Sequence, residues 1–496
     1  MKKIIYILIG VAIGLWSSLS IGTLFIILFG AIAGFIISNK VSNKQEKKFI
    51  GWVYAIAFFL SIVFSSIHFY IAALTKNDSD LIGDASAYSA NGAYIAEVLT
   101  NKKCNVETNY IDMEQLKECR TNYNGKLPPY GTYRMDFITY LDGLIYTFFN
   151  YSPLIIKFFN SILGIIGCFL IYFWIRNTYG ENEAKIALIL VLFLPSRFTW
   201  ATSGLKDTFI FFAFSLALFV FFTLRKNFSL FWTCVILFAV FIKYNFIYVL
   251  SLLIIVILLF KRKEIISLLS SFIFMKLAFF LVYELRPHFI PFLMITFSVA
   301  LFTFLKRGKI IILTFCLVVL SIFLLFKIDK NFIKTQYRTI TCEMISDQVN
   351  KSQPYERSKY NIYPDRFYNR DIRIHEMPGI SLKELLISYL IGMSYYFLYP
   401  FPWALNSKLQ LLGYIQMPLL YLLLPFIIIG IIIGFRYHWR ETLLYCLFIL
   451  LIASIIALAS GNGGTLFRHR DMVMPFFMAF AAIGITKVLG HSVRRI

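Results

Sequence analysis

Long apolar segments recur along almost the whole chain and are separated by short polar stretches. Most of them are close to the ~20 residues that an α-helix needs to cross the hydrocarbon core of a bilayer. A helix also satisfies its backbone hydrogen bonds internally, as a membrane requires. The pattern therefore predicts an all-α polytopic membrane protein of about 14 transmembrane helices. The predicted spans are 4–20, 22–38, 51–74, 153–175, 184–201, 205–224, 229–242, 245–260, 265–283, 288–305, 310–326, 411–434, 441–460 and 472–489.

The composition agrees with this fold class. Of the 496 residues, 59% are hydrophobic and 15% are charged, whereas soluble domains carry about 25% charged residues. The mean hydropathy is +0.73. The opening segment MKKIIYILIGVAIGLW could begin a signal peptide, but no A-x-A cleavage site follows and a second apolar run begins at once. We therefore expect it to be retained as the first span.

The formal net charge of +22 raises the question of nucleic-acid binding, but the distribution of the charge favours another explanation. With the N-terminus inside, the basic clusters fall on the cytoplasmic side, where Lys and Arg collect in membrane proteins. We therefore expect membrane lipids and no nucleic acid as partners, and a multi-pass protein of the inner (plasma) membrane. The clusters are Lys2/Lys3, Lys40 to Lys48, Arg176/Lys185, Arg225/Lys226, Lys261/Arg262/Lys263, Lys306/Arg307/Lys309, Arg436/Arg440 and Arg494/Arg495.

Three hydrophilic segments then face the outside, at 75–152, 327–410 and 460–471. The first two contain the apolar stretches 136–149 and 385–399, and counting either one as a span would invert the charge pattern that follows. We expect both to be helices that lie on the membrane or dip into it, and we expect the third segment to be a short turn. The predicted division is an N-terminal transmembrane hairpin (1–50), a transmembrane core with the first outer loop (51–326), a second outer loop (327–410) and C-terminal transmembrane helices (411–496).

Two cysteines lie in the first outer loop, Cys104 and Cys119. In an oxidising compartment they could close a disulfide that fixes the loop, and two free thiols are the alternative. No Cys/His cluster shows metal-ligand spacing, and there is no Walker loop or nucleotide-binding glycine pattern. We therefore expect no cofactor and no hydrolysis of a cytosolic nucleotide.

Polar residues gather just after the third span, in LIGDASAYSANGAYIAEVL (81–99). Asp84 stands at the start of a predicted helix, where the helix dipole favours an ionised carboxylate. A plain N-cap is the alternative for this residue. Small residues and one tyrosine follow at three- and four-residue spacing, a face that lets a helix approach its neighbours closely. They are Tyr88, Gly92, Ala93 and Ala96.

A second group of ionisable residues lies at the predicted outer ends of the fifth and sixth spans. PSRFTWATSGLKDTFIFF contains Arg197, Lys206 and Asp207, and the last two lead directly into an apolar helix. Ionisable residues at membrane depth are costly and are by default candidates for a functional site. The alternative is that Lys206 extends to the interface and pairs with Asp207.

Basic residues elsewhere extend the candidate set. Arg468 and Arg470 precede the last span, and guanidinium groups bind phosphate oxygens in a bidentate fork; a lipid-headgroup anchor is the alternative. Lys243 lies between the short apolar segments 229–242 and 245–260, which together predict a broken or re-entrant hairpin. We include these residues with Tyr88 and Arg197 as candidate substrate-binding residues.

The candidate residues, a carboxylate at Asp84 together with several cations, suit one kind of reaction. In it an acceptor hydroxyl attacks a sugar whose leaving group is a lipid phosphate. The Asp84 carboxylate would take the proton of the acceptor. The cations would stabilise the phosphate as it departs. Because nucleotide sugars are absent outside the cell, the activated donor on that face has to be linked to a lipid.

The motifs GDASAYSANGAYIA, SGLKD and FRHRDMVMP resemble, in this order, those of the GT-C superfamily of integral-membrane glycosyltransferases. The protein O-mannosyltransferase-like and aminoarabinose-transferase-like enzymes belong to that superfamily. YFLYPFPW (396–403) is also similar to a segment of bacterial GT-C-like proteins from surface-polysaccharide loci. The resemblance spans the whole chain as short motifs and leaves the substrate open.

The resemblance implies an inverting transfer from a polyprenyl-phosphate sugar to a cell-surface glycan, lipid or protein, on the extracytoplasmic face. Asp84 would be the catalytic base, and Lys206, Asp207, Arg468 and Arg470 would line the donor or acceptor site. The catalytic loop of the superfamily usually follows the first span, whereas here it follows the third, which implies an extra N-terminal hairpin (4–38). The DASAY stretch has one Asp where some members have two, so we expect no metal.

Three alternatives stay open. A repeat-unit polymerase or O-antigen ligase would also use polyprenyl-linked substrates, and Arg366, Arg370 and Arg373 would suit its diphosphate donor. A lipid-linked sugar transporter or flippase would place its ionisable residues near the midplane and in related halves, and the chain has no internal repeat. A channel or scaffold would use the outer polar residues only as anchors, but long ordered loops on one side are usually functional.

Overall fold

The computed structural model describes residues 21–74, 83–100, 110–111, 133–134, 137–224, 338, 341–350, 360–368, 379–401 and 410–490. Over these residues the chain is almost entirely helical, which confirms the predicted class of helical membrane protein. The helices are α1 (Ile21–Asn39), α2 (Lys44–Leu74), α3 (Gly83–Leu99), α4 (Phe137–Phe149), α5 (Pro153–Thr178), α6 (Glu181–Leu192), α7 (Pro195–Ala201), α8 (Lys206–Leu224), α9 (Leu382–Leu398), α10 (Gln410–Ala459), α11 (Gly463–Arg470) and α12 (Met474–Val488).

The described non-helical elements are short. Strands β1 (Tyr110–Ile111) and β2 (Tyr133–Arg134) pair antiparallel. Asp365–Tyr368 form a single 3₁₀ turn, and residues 341–350 are helical.

Several of the helices are long and apolar enough to cross a membrane. The described residues contain four such helices, and a fifth crossing if the bent pair α6 and α7 is counted as one. The protein is therefore embedded in a membrane. The four long apolar helices are Gly22–Asn39, Lys44–Phe69, Pro153–Thr178 and Gln416–Ala459.

The predicted spans at 4–20 and the five between 229 and 326 lie outside the described residues.

The chain separates into two compact units. The first comprises Met1–Trp174 and Val191–Pro287, and the second comprises Ile175–Leu190 and His288–Ile496.

The core of the first unit is built around α1, α2 and α5. Buried side chains of these helices, among them Ile27, Ile62 and Phe158, form one apolar cluster. Gly30 of α1 makes room for α2, because a Cβ there would lie 2.4 Å from the ring of Phe58. The Tyr54 hydroxyl donates to the carbonyl oxygen of Gly30 over 2.6 Å. A small residue thus brings the two helices together, as is common inside membranes.

Helix α2 begins at Lys44, seven residues before the predicted span 51–74. The added residues KQEKKFI are mostly polar, but Lys, Gln and Glu are strong helix formers and extend the apolar helix without a break. Glu46 in this first turn is buried and accepts a hydrogen bond from the hydroxyl of Tyr172 on α5.

The predicted span 184–201 is not one straight helix, which corrects the expectation from the sequence. Its two parts, α6 and α7, meet at 58°. Pro195 opens α7, and a proline has no N–H to continue the hydrogen bonds of α6. Leu194 before it is extended, with φ −61° and ψ 126°, because a residue preceding proline disfavours the helical region.

In the second unit, α10 consists of two helices that meet at His438, whose φ of −139° and ψ of 52° are not helical. A Cβ at Gly434 would lie 2.5 Å from Thr442 Oγ1. Eight residues of straight helix would separate these positions by about 12 Å, so the two halves turn back on each other at His438. This break falls between the predicted spans 411–434 and 441–460.

Helix α12 packs against α10 through two glycines. A Cβ at Gly430 would lie 1.9 Å from the carbonyl oxygen of Phe480, and one at Gly484 would lie 2.0 Å from that of Phe426. The two backbones are therefore in direct contact, which only glycine allows at these positions.

Candidate functional site

The helix that begins with the DASAY motif, α3, packs closely and antiparallel against α4. A Cβ at Gly92 would lie 2.6 Å from Asp142 Cβ, and one at Gly143 would lie 2.5 Å from Ile95 Cγ2. The hydroxyl oxygens of Ser89 and Tyr146 are 2.8 Å apart. The predicted small-residue face is therefore confirmed as a packing face, since Gly92 and its neighbours Ala93 and Ala96 are buried.

The antiparallel packing of α3 on α4 determines where the backbone of Asp84 lies. Because Ser89 lies opposite Tyr146 and Gly92 opposite Gly143, the start of α3 lies beside the end of α4. The Ser89 hydroxyl also lies 3.4 Å from that of Tyr151, in the three-residue link 150–152 that leads into α5. Asp84, the second residue of α3, is thus at the end of α3 that adjoins the start of a membrane-spanning helix.

The turn that leads into α8 is held against the start of α5. Asn160 Nδ2 donates to the carbonyl oxygens of Ala201 and Leu205, over 3.1 and 3.2 Å. Gly204 in this turn has a φ of +74°, a left-handed conformation that glycine adopts without steric cost. These contacts fix where α8 begins, and with it the SGLKD motif.

Lys206, the first residue of α8, contacts the DASAY helix directly. Its Nζ lies 5.6 Å from the ring centroid of Tyr88, within the range of a cation–π interaction. Tyr88 lies four residues after Asp84, so the two share one face of α3 about one turn apart. The structure thus brings together two of the predicted substrate-binding residues, Tyr88 and Lys206, beside the backbone of Asp84.

Two further charged side chains of the first unit are buried. Asp207 is 4% exposed and Lys157 of α5 is 1% exposed. Lys157 interacts electrostatically with His68 of α2, and His68 Nδ1 lies 3.3 Å from the carbonyl oxygen of Thr202. Sequence reasoning missed Lys157, although a lysine within an apolar span is itself the signal that marks a candidate functional residue.

Arg197 lies in the interior of the first unit, packed against α5. It is 9% exposed, and its Nε donates to Cys168 Sγ over 3.0 Å. A Cβ at Gly164 would lie 2.0 Å from its Nη2. Gly164 and Cys168 are about 17 and 23 Å along α5 from its start at Pro153. A helical side chain points toward the N-terminus of its helix, which carries this guanidinium inward.

The space beside Arg197 is small. Ser61 and Ser161 help to line a void of about 10 Å³ next to the guanidinium, which is about the room that one water molecule needs. A phosphate or a sugar does not fit there. Arg197 therefore supports the packing of α5 and α7 in this structure, and its role in substrate binding stays a prediction.

In the second unit, the predicted turn 460–471 contains a helix, α11, which is a further correction. Asn462 starts it by accepting a hydrogen bond from the Leu466 N–H over 2.9 Å. Basic residues in its last turn face the negative end of the helix dipole, which stabilises the helix. Arg468 and Arg470 are two residues apart, and such positions point to different sides of a helix.

The buried member of this pair, Arg470, holds the end of α9. It is 1% exposed, and its Nη1 donates to the carbonyl oxygens of Tyr399 over 2.5 Å and of Tyr396 and Phe397 over 3.4 Å. The last carbonyls of a helix have no partner within the helix and favour a cation. Arg470 thus positions α9, whereas Arg468 is half-exposed.

Arg366 forms an ion pair at the other end of α9, where the helix begins. Its guanidinium forms a bidentate pair with Glu384, with both distances 2.8 Å. Glu384 also belongs to a capping box with Ser381 at the start of the helix. Arg366, a candidate for a diphosphate-binding enzyme, is therefore paired with a carboxylate, and Arg370 and Arg373 lie outside the described residues.

The pairing of Arg366 with Glu384 is expected to make the stability of the start of α9 depend on pH. The hydrogen bonds from Arg366 and from Ser381 lower the pKa of Glu384 to about 2, from an ordinary value of 4.5. Because the folded pKa is lowered, the pair stabilises the start of α9 fully above pH 4.5, and this contribution is lost as the pH falls toward 2. Carbon-13 NMR of the Glu384 carboxyl group, assigned with Glu384→Gln, should give a midpoint near 2; a midpoint near 4.5 would contradict the pairing.

Other predicted residues lie outside the part of the chain that the structure describes, namely Lys243 and the cysteines Cys104 and Cys119. Among the described residues, no three His, Cys, Asp or Glu side chains lie together as a metal site requires. The expectation that the protein needs no metal stays a prediction.

Comparisons with protein-family models, curated proteins and solved structures found no match to this chain. Function is therefore inferred from the residues and their contacts.

Proposed function

We propose that the protein is a membrane glycosyltransferase that moves a sugar from a polyprenyl-phosphate donor to a cell-surface glycan, lipid or protein. The observation that carries the proposal is the contact of Lys206 with Tyr88. It joins the start of α8 to α3, whose first turn contains Asp84, so that a cation lies about one helical turn from a carboxylate-bearing residue.

The chemistry needs these two groups at one place. A carboxylate base at Asp84 takes the proton of the acceptor hydroxyl as its oxygen attacks the anomeric carbon. The bond to the phosphate breaks at the same time, and the phosphate leaves on the opposite face of the sugar, which inverts the configuration. The ammonium of Lys206 stabilises the charge that develops on the leaving phosphate.

Two buried charged residues of the same unit support the proposal. Lys157 and Asp207 next to the Lys206 turn are almost fully shielded from water. Charges interact more strongly in such surroundings than in water, and buried ionisable groups of this kind concentrate at functional sites. The position at the start of α5, a membrane-spanning helix, suits a donor whose phosphate sits at the bilayer surface.

Lys206→Gln tests the proposal. We expect kcat/KM for sugar transfer in proteoliposomes to fall by about a hundredfold, because one stabilising group for the leaving phosphate is lost. The matched control is Lys185→Gln, which removes the same charge from a lysine that pairs with Glu181. Equal losses in the two variants would show that Lys206 acts only through net charge and would overturn its role.

A further inference from the structure

Four lysines lie together at the turn between α1 and α2. Lys40 follows the end of α1, and Lys44, Lys47 and Lys48 lie in the first turns of α2. All four side chains are exposed. Residues three and four positions apart share one face of a helix, so the three lysines of α2 lie on the same side. We call Lys40, Lys44, Lys47 and Lys48 the α1–α2 lysine cluster.

The packing of α1 against α2 brings Lys40 into this cluster. A Cβ at Gly34 of α1 would lie 2.4 Å from the ring of Tyr54 of α2. Nearer the turn, the Lys47 ammonium donates to Asn39 Oδ1 at the end of α1. The two helices therefore run antiparallel, and Lys40, which directly follows Asn39, lies next to the start of α2.

The one acidic residue in this part of the chain is turned away from the cluster. Glu46 is the only Asp or Glu between residues 21 and 74. It is 0% exposed and accepts a hydrogen bond from the hydroxyl of Tyr172 on α5. Lys44 and Lys48, four residues apart, repel each other, and residues 21–74 contain no exposed carboxylate that could offset the repulsion. An anion from outside the chain would offset it.

The cluster also lies where the headgroups of a bilayer are found. Both α1 and α2 are long and apolar enough to cross a membrane, and the lysines lie at the turn that joins them. Trp52, four residues after Lys48 and on the same face, is 41% exposed, and tryptophan is enriched at the boundary between hydrocarbon and headgroups. Phe35 on α1 is 69% exposed. A ligand that meets the lysines and these apolar side chains together has an anionic head and a hydrocarbon chain.

We propose that the α1–α2 lysine cluster binds the headgroup of an anionic phospholipid; this inference does not depend on the proposed function. Ammonium groups donate charge-assisted hydrogen bonds to phosphate oxygens. Clusters of four or more basic residues next to a membrane-spanning helix attract anionic lipids. Lysine acts as a point charge, so it selects a headgroup by net charge. The zwitterionic headgroup of phosphatidylethanolamine carries its own ammonium and gains less from the cluster.

Photochemical cross-linking beside the cluster tests the proposal. The full-length protein, with benzoylphenylalanine in place of Trp52, is reconstituted in phosphatidylcholine vesicles that contain a small fraction of radiolabelled phosphatidylglycerol. A parallel sample contains radiolabelled phosphatidylethanolamine instead. We expect phosphatidylglycerol to be cross-linked about tenfold more than phosphatidylethanolamine, because each lysine near the membrane surface adds to the attraction for an anionic lipid.

Two variants assign this preference to the lysines. The combined changes Lys40→Gln, Lys44→Gln, Lys47→Gln and Lys48→Gln should make the labelling by the two lipids equal. The matched control replaces the same four lysines by arginine, which keeps the charge, and it should keep the preference.

Equal labelling by the two lipids before the lysines are changed would overturn the inference, because the cluster would then show no selection. A preference that survives the four glutamine changes would belong to another part of the chain. Loss of the preference in the arginine variant would indicate altered packing rather than lost charge, and either result would contradict the inference. Inorganic phosphate should reduce the labelling no more than chloride of the same ionic strength does; a stronger effect would show that the cluster takes a free anion instead of a lipid headgroup.

Discussion

Asp84→Asn is expected to lower the turnover of sugar transfer by about 10²–10⁴-fold while donor binding is unchanged. Asparagine keeps the size of the side chain, but its amide oxygen does not take up a proton at neutral pH. The helix start and its packing on α4 depend on Gly92, Gly143 and Ser89, which the variant retains. The loss should therefore appear in kcat, measured with a saturating lipid-linked donor.

The control for this variant is Glu97→Gln, the same kind of change on the same helix about 20 Å from Asp84. It should transfer sugar at the wild-type rate. If Asp84→Asn also keeps the wild-type rate, Asp84 is an N-terminal residue of a helix and takes no part in the chemistry.

Gly484→Leu is expected to destabilise the second unit by about 1–3 kcal/mol or more, because the contact between α10 and α12 has no room for a side chain. Even a Cβ at this position would lie 2.0 Å from the carbonyl oxygen of Phe426, so the two backbones would have to separate. The thermal midpoint of the purified protein in detergent should fall clearly below that of the wild type.

Gly51→Leu is the matched control, because a Cβ at Gly51 of α2 meets nothing within 4 Å. It should leave the midpoint close to the wild-type value. Equal midpoints for Gly484→Leu and the wild type would show that α10 and α12 separate easily and that the glycine contact is not what holds them.

The lengths and positions of the apolar runs in the sequence were sufficient to locate most of the described helices. The short apolar stretches 136–149 and 385–399 correspond to α4 and α9, at Phe137–Phe149 and Leu382–Leu398. The turn between 434 and 441 corresponds to the break at His438. These features depend on local sequence, either on the run of apolar residues or on where polar residues interrupt it, and therefore need no knowledge of tertiary contacts.

The placement of charged side chains depended on tertiary structure and could be predicted only in part. Lys206 and Tyr88 lie together as the motifs suggested, because each is near the start of its helix at one end of the unit. Arg197 is carried inward by the bend at Pro195. Arg470 is taken up by carbonyl groups at the end of α9, and no spacing in the sequence reveals that contact.

The most direct measurement is sugar transfer by the wild-type protein in proteoliposomes supplied with polyprenyl-monophosphate sugars or with polyprenyl-diphosphate oligosaccharides. We predict transfer of a single sugar from a monophosphate donor, with inverted configuration at the anomeric carbon of the product. Transfer only from diphosphate-linked oligosaccharides would contradict this account and would indicate a polymerase or ligase; movement of the intact lipid-linked sugar across the bilayer without transfer would indicate a flippase.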